Sequence, residues 1–214
     1  MKMIASVLEL SRSDIKALKI TDPYSLHRVV YSLYDDIRTD AEKQSSVSSG
    51  ILYADQGGDF KSRKVLLLAN RPPKDKVDGL YGQVRSKEIA DDFLDHQQYR
   101  FKVIVNPTKR EKETKKLIAI RGREAIAHWF MNNAPKRWGF EVIPEYLQVD
   151  SVNILQFKAK QDRTITIGQA SVQGILNVTD REQFVHSFTH GIGRGHSYGC
   201  GLLQIVPFIE NPFN

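Results

Sequence analysis

Apolar positions fall into short periodic runs along the whole chain, and their spacing predicts most of the elements. The opening stretch Met3–Leu10 is broken at Ser6 and Glu9. That alternation predicts a strand over 3–10 rather than a secretory leader. Leu26, Val29, Val30 and Leu33 recur at i, i+3, i+4 and i+7, which predicts a helix over 23–37. Thr21 or Asp22 supplies its cap, and Pro23 suits its first turn. Ile51–Ala54 and Lys64–Ala69 read as strands around a Gly57-Gly58 turn, closed by Asn70-Arg71-Pro72-Pro73, and 83–89 reads as an edge strand. The pattern then starts again. Tyr99–Val105 alternates and stops at Asn106-Pro107; 123–132 is a helix with Ile126, Ala127 and Phe130 inward. Val152–Lys158 and Thr164–Val178 are strands around a Gln161-Asp162 turn. Thr179 and Glu182 form a capping box for a helix carrying Phe184, Val185 and Phe188; Gly191 ends it, and 202–208 is a last strand. The second half is therefore β-α-β-β-α-β, and the first half begins in the same order. This predicts an α+β chain of two tandem ferredoxin-like (βαββαβ, RRM-like) domains, 1–94 and 95–214, with the boundary near Asp95.

Charge adds a partner class. The formal net charge is +6, with acidic residues spread throughout, which favours an anionic partner over a basic tail. A single cysteine, Cys200, forbids an intrachain disulfide and fits a reducing cytoplasm. Nothing in the sequence approaches a membrane-spanning length, so no membrane partner is expected.

Three places concentrate candidate chemistry. Between the last helix and the last strand lie five glycines in eleven positions, Gly191, Gly193, Gly195, Gly199 and Gly201, with His190, Arg194 and His196 among them. A dinucleotide fingerprint runs strand to loop to helix, so that phosphate meets a helix N-terminus. The order here is reversed, which disfavours a nucleotide cofactor. A glycine-rich backbone with basic side chains suits contact with a phosphate chain, although a tight helix-to-strand connection also needs glycines. The second place is the first helix. Tyr24, His27, Tyr31 and Tyr34 lie on a stripe away from the apolar arc, with Arg28 near the same side. Tyr24 and His27 are neighbours at i, i+3 and form a candidate proton-transfer pair; a surface histidine among interface tyrosines is the alternative. The third place is basic. Lys109, Arg110, Lys112, Lys115 and Lys116 form a dense run, and Lys158, Lys160 and Arg163 flank the Gln161-Asp162 turn. Both read as phosphate contacts or as ordinary solvated turns. No HxH, HExxH or paired-cysteine spacing exists, nor a GxxxxGK[ST] loop, so neither a metal nor a cofactor is expected.

Four stretches, in order, carry a family resemblance: Tyr24–His27; Tyr99–Pro107 with its basic loop; the Lys158–Lys160 hairpin; and Gly191–Leu203, which reads GxGxxxSxGxGLL. In these the chain resembles the CasE family, the CRISPR-associated repeat-processing endoribonucleases of the type I-E Cascade complex. The resemblance implies two ferredoxin-like domains and metal-independent cleavage of CRISPR repeat stem-loop RNA to mature crRNA by 2′-hydroxyl attack. The enzyme would stay bound to its product, beside other Cascade subunits. Tyr24 and His27 match the family's catalytic pair, with acid and base unassigned. Lys158 and Lys160 match its basic hairpin residues, Lys160 as a charge stabiliser. The hairpin is short and weakly basic, and Arg194 and His196 are not fixed parts of the family pattern. A non-catalytic RNA-binding subunit of a CRISPR effector complex is the alternative reading.

Overall fold

The computed structural model describes residues 2–44, 48–59, 61–158 and 163–208. The chain divides into two compact units, Met1–Ile89 with Ser197–Gly199, and Ala90–His196 with Cys200–Asn214.

The first unit is built on β1 (Ile4–Ser11), β2 (Ile51–Gly58), β3 (Ser62–Ala69) and β4 (Gln83–Glu88), all antiparallel in the order β2-β3-β1-β4. This is the ferredoxin-like order. After β1 come a short α1 (Arg12–Ala17), then α2 (Pro23–Ser32) and α3 (Asp40–Gln44). The core joins Leu8 and Leu10 of β1, Tyr53 of β2, and Val65 and Leu67 of β3 to Leu26, Val29, Val30 and Leu33. Asp22 caps α2: its carboxylate accepts from the Ser25 N–H at 2.7 Å, and Ser25 Oγ accepts in return from the Asp22 N–H at 3.0 Å. The helix stops earlier than the expected Ile37. Leu33 and Tyr34 bond to carbonyls three residues back, which tightens the last turn, and Ile37 is left 63% exposed. The β2–β3 turn also differs from the sequence reading. It forms at Asp59, whose carboxylate accepts from the N–H groups of Lys61 and Ser62, rather than at Gly57-Gly58. No helix forms over residues 70–82, so this unit lacks the second helix of its fold class.

The second unit is the fuller copy. Its sheet runs β11-β5-β10-β8, from β5 (Gln98–Val105), β8 (Phe140–Val142), β10 (Thr164–Val178) and β11 (Gln204–Pro207); β9 (Gln148–Lys158) lies along the rest of β10. A small hairpin, β6 (Thr108–Arg110) and β7 (Leu117–Ala119), occupies the stretch read as a basic loop. Two helices cover the sheet. One is α4 (Arg123–Asn133), continued by a single wider turn over Ala134–Trp138; the other is α5 (Arg181–His190). Tyr99, Phe101, Phe130, Trp138, Phe140 and Phe184 fill the core between them. The cap of α5 is Asp180, whose side chain accepts from the Gln183 N–H at 3.0 Å, and not Thr179. No helix among the described residues is long and apolar enough to cross a membrane.

Candidate active site

The burial of Leu26, Val29 and Val30 sets the rotation of α2. That rotation turns Tyr24, His27 and Tyr31 onto the neighbouring arc, and Arg28 into solvent. The His27 ring lies between aromatic neighbours. Its centroid is 4.0 Å from that of Tyr31, 6.3 Å from Tyr24 and 6.2 Å from Tyr198. Nδ1 is buried with no hydrogen-bond partner among the described residues. Burial pushes the His27 pKa below its ordinary 6.5, and a hydrogen bond to the Ser197 backbone pulls partly the other way. The Ser197 carbonyl also accepts from the Tyr53 hydroxyl at 2.8 Å. Gly199 passes close to the same Tyr53 ring: with φ +77°, a Cβ there would sit 3.2 Å from it. Ser49 donates to the Tyr31 hydroxyl at 3.0 Å.

Tyr34 does not belong to this stripe. It is buried in the core of the first unit, burial pushes its phenol well above the usual range, and the Arg71 guanidinium lies 5.5 Å from its ring centroid. The helix has ended at Ser32, and beyond it the chain folds Tyr34 inward.

The glycine-rich loop closes on itself. The Ile192 N–H donates to the Gly201 carbonyl at 3.0 Å, and the Gly201 N–H donates to Ile104 at 2.7 Å. His196 packs inside: its Nε2 is buried without a partner among the described residues, burial lowers its pKa, and a Cβ on Gly201 would lie 2.5 Å from its ring. Cys200 is buried, and its thiol is pushed up to about 12. Arg194 and Gly193 are exposed, while Gly191 and Gly195 are half-buried. His190 is exposed and its ring stacks on His186 at 4.3 Å.

Arg194 and Gly193 share a cleft of about 760 Å³ in the second unit with Lys109 and Arg110. Asn106, Trp129, Asn133 and Arg137 also line it. Lys112, Lys115 and Lys116 are exposed on the β6–β7 connection and do not line this cleft; Lys158 and Arg163 are exposed at the facing ends of β9 and β10. Lys160 lies outside the described residues. Among the described residues, no three His, Cys, Asp or Glu side chains gather where they could hold a metal ion.

Sequence reasoning missed Ser197, Tyr198 and Tyr53 around His27, and Trp129, Asn133 and Arg137 in the cleft. Tyr198 had a signal in its place inside the glycine motif. Trp129 and Asn133 had a weaker one, spaced i, i+4 at the edge of the arc that holds Ile126 and Phe130, and Arg137 lies in the wider turn that follows.

Residues 3–207 match the family described as CRISPR associated protein. The CRISPR-associated endoribonuclease Cse3 of Thermus thermophilus is 25% identical over 120 residues, covering 52% of this chain and 56% of that protein; the match thus spans little more than half of the relative's length. A structure of CRISPR endoribonuclease Cse3 bound to 19 nt RNA superposes with a TM-score of 0.78 at 22% identity, over 97% of this chain and all of that one. A chain of a CRISPR RNA-guided surveillance complex superposes at 0.62 and 20% identity, over 97% of this chain and all of that one. At these identities the structural likeness speaks for the fold, which is the tandem ferredoxin-like one.

Proposed function

The chain belongs to the CRISPR-associated protein family, and from that premise we propose that it is an endoribonuclease that cuts CRISPR repeat stem-loop RNA and keeps the mature guide it makes. The curated relative is a CRISPR-associated endoribonuclease, and a similar chain is found bound to RNA. The observation that carries the reading to this chain is the setting of His27, half-buried among Tyr24, Tyr31 and Tyr198 and held below its ordinary pKa. An imidazole so placed is neutral at neutral pH and can accept a proton.

RNA carries its own nucleophile. His27 takes the proton from the 2′-hydroxyl beside the scissile phosphate, and the 2′-oxygen forms a bond to phosphorus. The bond from phosphorus to the 5′-oxygen breaks, and Tyr24 gives that oxygen its proton. The products are a 2′,3′-cyclic phosphate and a 5′-hydroxyl; water then returns a proton from His27 to Tyr24. Lys158 or Lys160 offsets the charge gathering on the phosphoryl oxygens. No step requires a metal ion. Lys109, Arg110, Lys112, Lys115, Lys116 and Arg163 contact the backbone of the stem, because an A-form stem is read chiefly by shape and phosphate position, and Arg194 contacts the RNA backbone outside the stem. A similar chain lies in a surveillance complex, so partner subunits of a cytoplasmic Cascade-type assembly are part of the proposal.

Single-turnover cleavage of the repeat RNA tests this. Cutting should persist in excess EDTA. Replacing the ribose 5′ of the scissile phosphate by deoxyribose should abolish cutting and leave binding nearly intact. Activity lost on chelation and restored by a divalent ion would overturn the metal-free step. A cut deoxy substrate would mean that water attacks. A wild-type chain that binds the repeat without cutting it would be an RNA-binding subunit.

A further inference from the structure

The cleft of the second unit has features that recognition of a stem does not use. Trp129 stands edge-on to Trp138, with centroids 5.8 Å apart and planes at 71°, and Trp138 is itself buried. Asn133 Nδ2 donates to the Trp129 carbonyl at 2.7 Å. Trp138 thus braces the indole, and the Asn133 side chain is tied back to the helix beside it. Four cations, including Lys109, Arg137 and Arg194, line the cleft, and no carboxylate does. Those three make no ion pair among the described residues. Gly193 has φ +75° and open space where a Cβ would point, so a ligand can approach the backbone there. The volume of about 760 Å³ is in the range of small-ligand pockets, roughly 300–1,000 Å³.

We propose that this cleft holds unpaired nucleotides of the RNA next to the stem, with a base stacked on Trp129 and phosphates held by Arg137 and Arg194. The inference rests on RNA being the substrate. Bases inside a duplex are stacked on each other and offer no free face, whereas single-stranded bases are typically caught on aromatic rings within basic grooves. A concave site that combines an indole, amide side chains and uncompensated cations has the composition for the second kind of ligand.

The test compares the repeat stem-loop alone with the same stem-loop carrying a short unpaired extension on its 5′ or its 3′ side. Wild type should bind one of the extended RNAs more tightly than the bare stem-loop. Trp129→Ala should weaken binding of that RNA by roughly five- to 150-fold, the worth of a base–aromatic stack, and should leave the bare stem-loop near wild type. Arg137→Ala with Arg194→Ala should flatten the salt dependence for the extended RNA by about 0.7 in log–log slope for each phosphate no longer neutralised. This pair of exposed side chains keeps the test open if Trp129→Ala fails to fold. The proposal is overturned if neither extension tightens wild-type binding, or if the variants weaken bare and extended RNAs alike. Wild-type protein that binds none of these RNAs would instead overturn the proposed function.

Discussion

At the scale of the residue, a histidine serves as a base only while it is neutral. The aromatic enclosure of His27 lowers its pKa, so the neutral form persists to a lower pH than for a free imidazole. The pH profile of kcat/KM, which reports the free enzyme, should rise with pH and level off through an inflection below 6.5. His27→Ala should cut about 10²-fold or more slowly, with repeat-RNA affinity close to wild type. His27→Gln, which keeps more of the packing against Tyr31 and Tyr198, should do the same and lose the inflection. Tyr24→Phe should also cut more slowly with affinity retained, because the ring remains and only the hydroxyl that protonates the leaving oxygen is lost. A near-normal rate in His27→Ala, or an inflection that survives in His27→Gln, would remove His27 from the chemistry. The pair was legible in the sequence because both residues stand off the apolar arc of α2. The enclosure was not: Ser197, which accepts from Tyr53, lies 144 positions along the chain from it, and no local periodicity links the two.

At the scale of the element, apolar period gave the strands and helices that pack, and failed where nothing packs. The burial of β5 alternates along its length, as the sequence pattern does. The β6–β7 hairpin has no buried face, and its strands have no alternation to read. Hydrogen bonds across its turn hold it instead: Arg110 Nη1 donates to the Lys115 carbonyl at 2.8 Å, and the Glu111 N–H bonds to the Lys116 carbonyl at 2.9 Å. Lys115 sits in the turn itself with φ +58°, a left-handed backbone, so a substitution there would probe the turn as well as the charge. The electrostatic role of the element is therefore better probed with Lys109→Ala, Lys112→Ala and Lys116→Ala. Together they should weaken repeat-RNA binding and lower its log–log salt slope by about 0.7 to 0.9 for each phosphate no longer neutralised. A binding curve with unchanged salt slope would reduce the hairpin to a solvated turn. The same logic explains the end of α2 and the β2–β3 turn. Both are decided by a few hydrogen bonds, at Leu33, Tyr34 and Asp59, which compositional signals such as a glycine pair do not register.

At the scale of the whole molecule, the order of elements along the sequence was enough for the fold class, and the two copies differ where the chain forbids a helix. Between β3 and β4, Pro72 and Pro73 remove two donors, and Gly79 and Gly82 take positive φ, so the second crossover of the first unit stays irregular. Each unit nonetheless carries one half-buried histidine whose pKa is lowered by burial, His27 in the first and His196 in the second. For both, the unfolded chain binds a proton more readily than the folded one. Their stabilising contribution is complete above the unfolded value of 6.5 and is lost as pH falls from there through the folded values. The depressed carboxylates of Asp36, Glu42 and Asp59 act in a separate and more acidic window, at and below their ordinary range. Thermal melts of the RNA-free protein should therefore show Tm falling between about pH 7 and pH 5, ahead of any carboxylate effect. His27→Gln with His196→Gln removes both titrations, so its Tm should be flatter across that interval even if its absolute value is lower. Equal slopes for wild type and the double variant would show that neither buried imidazole is coupled to folding, and would also weaken the case that His27 is neutral in its working state.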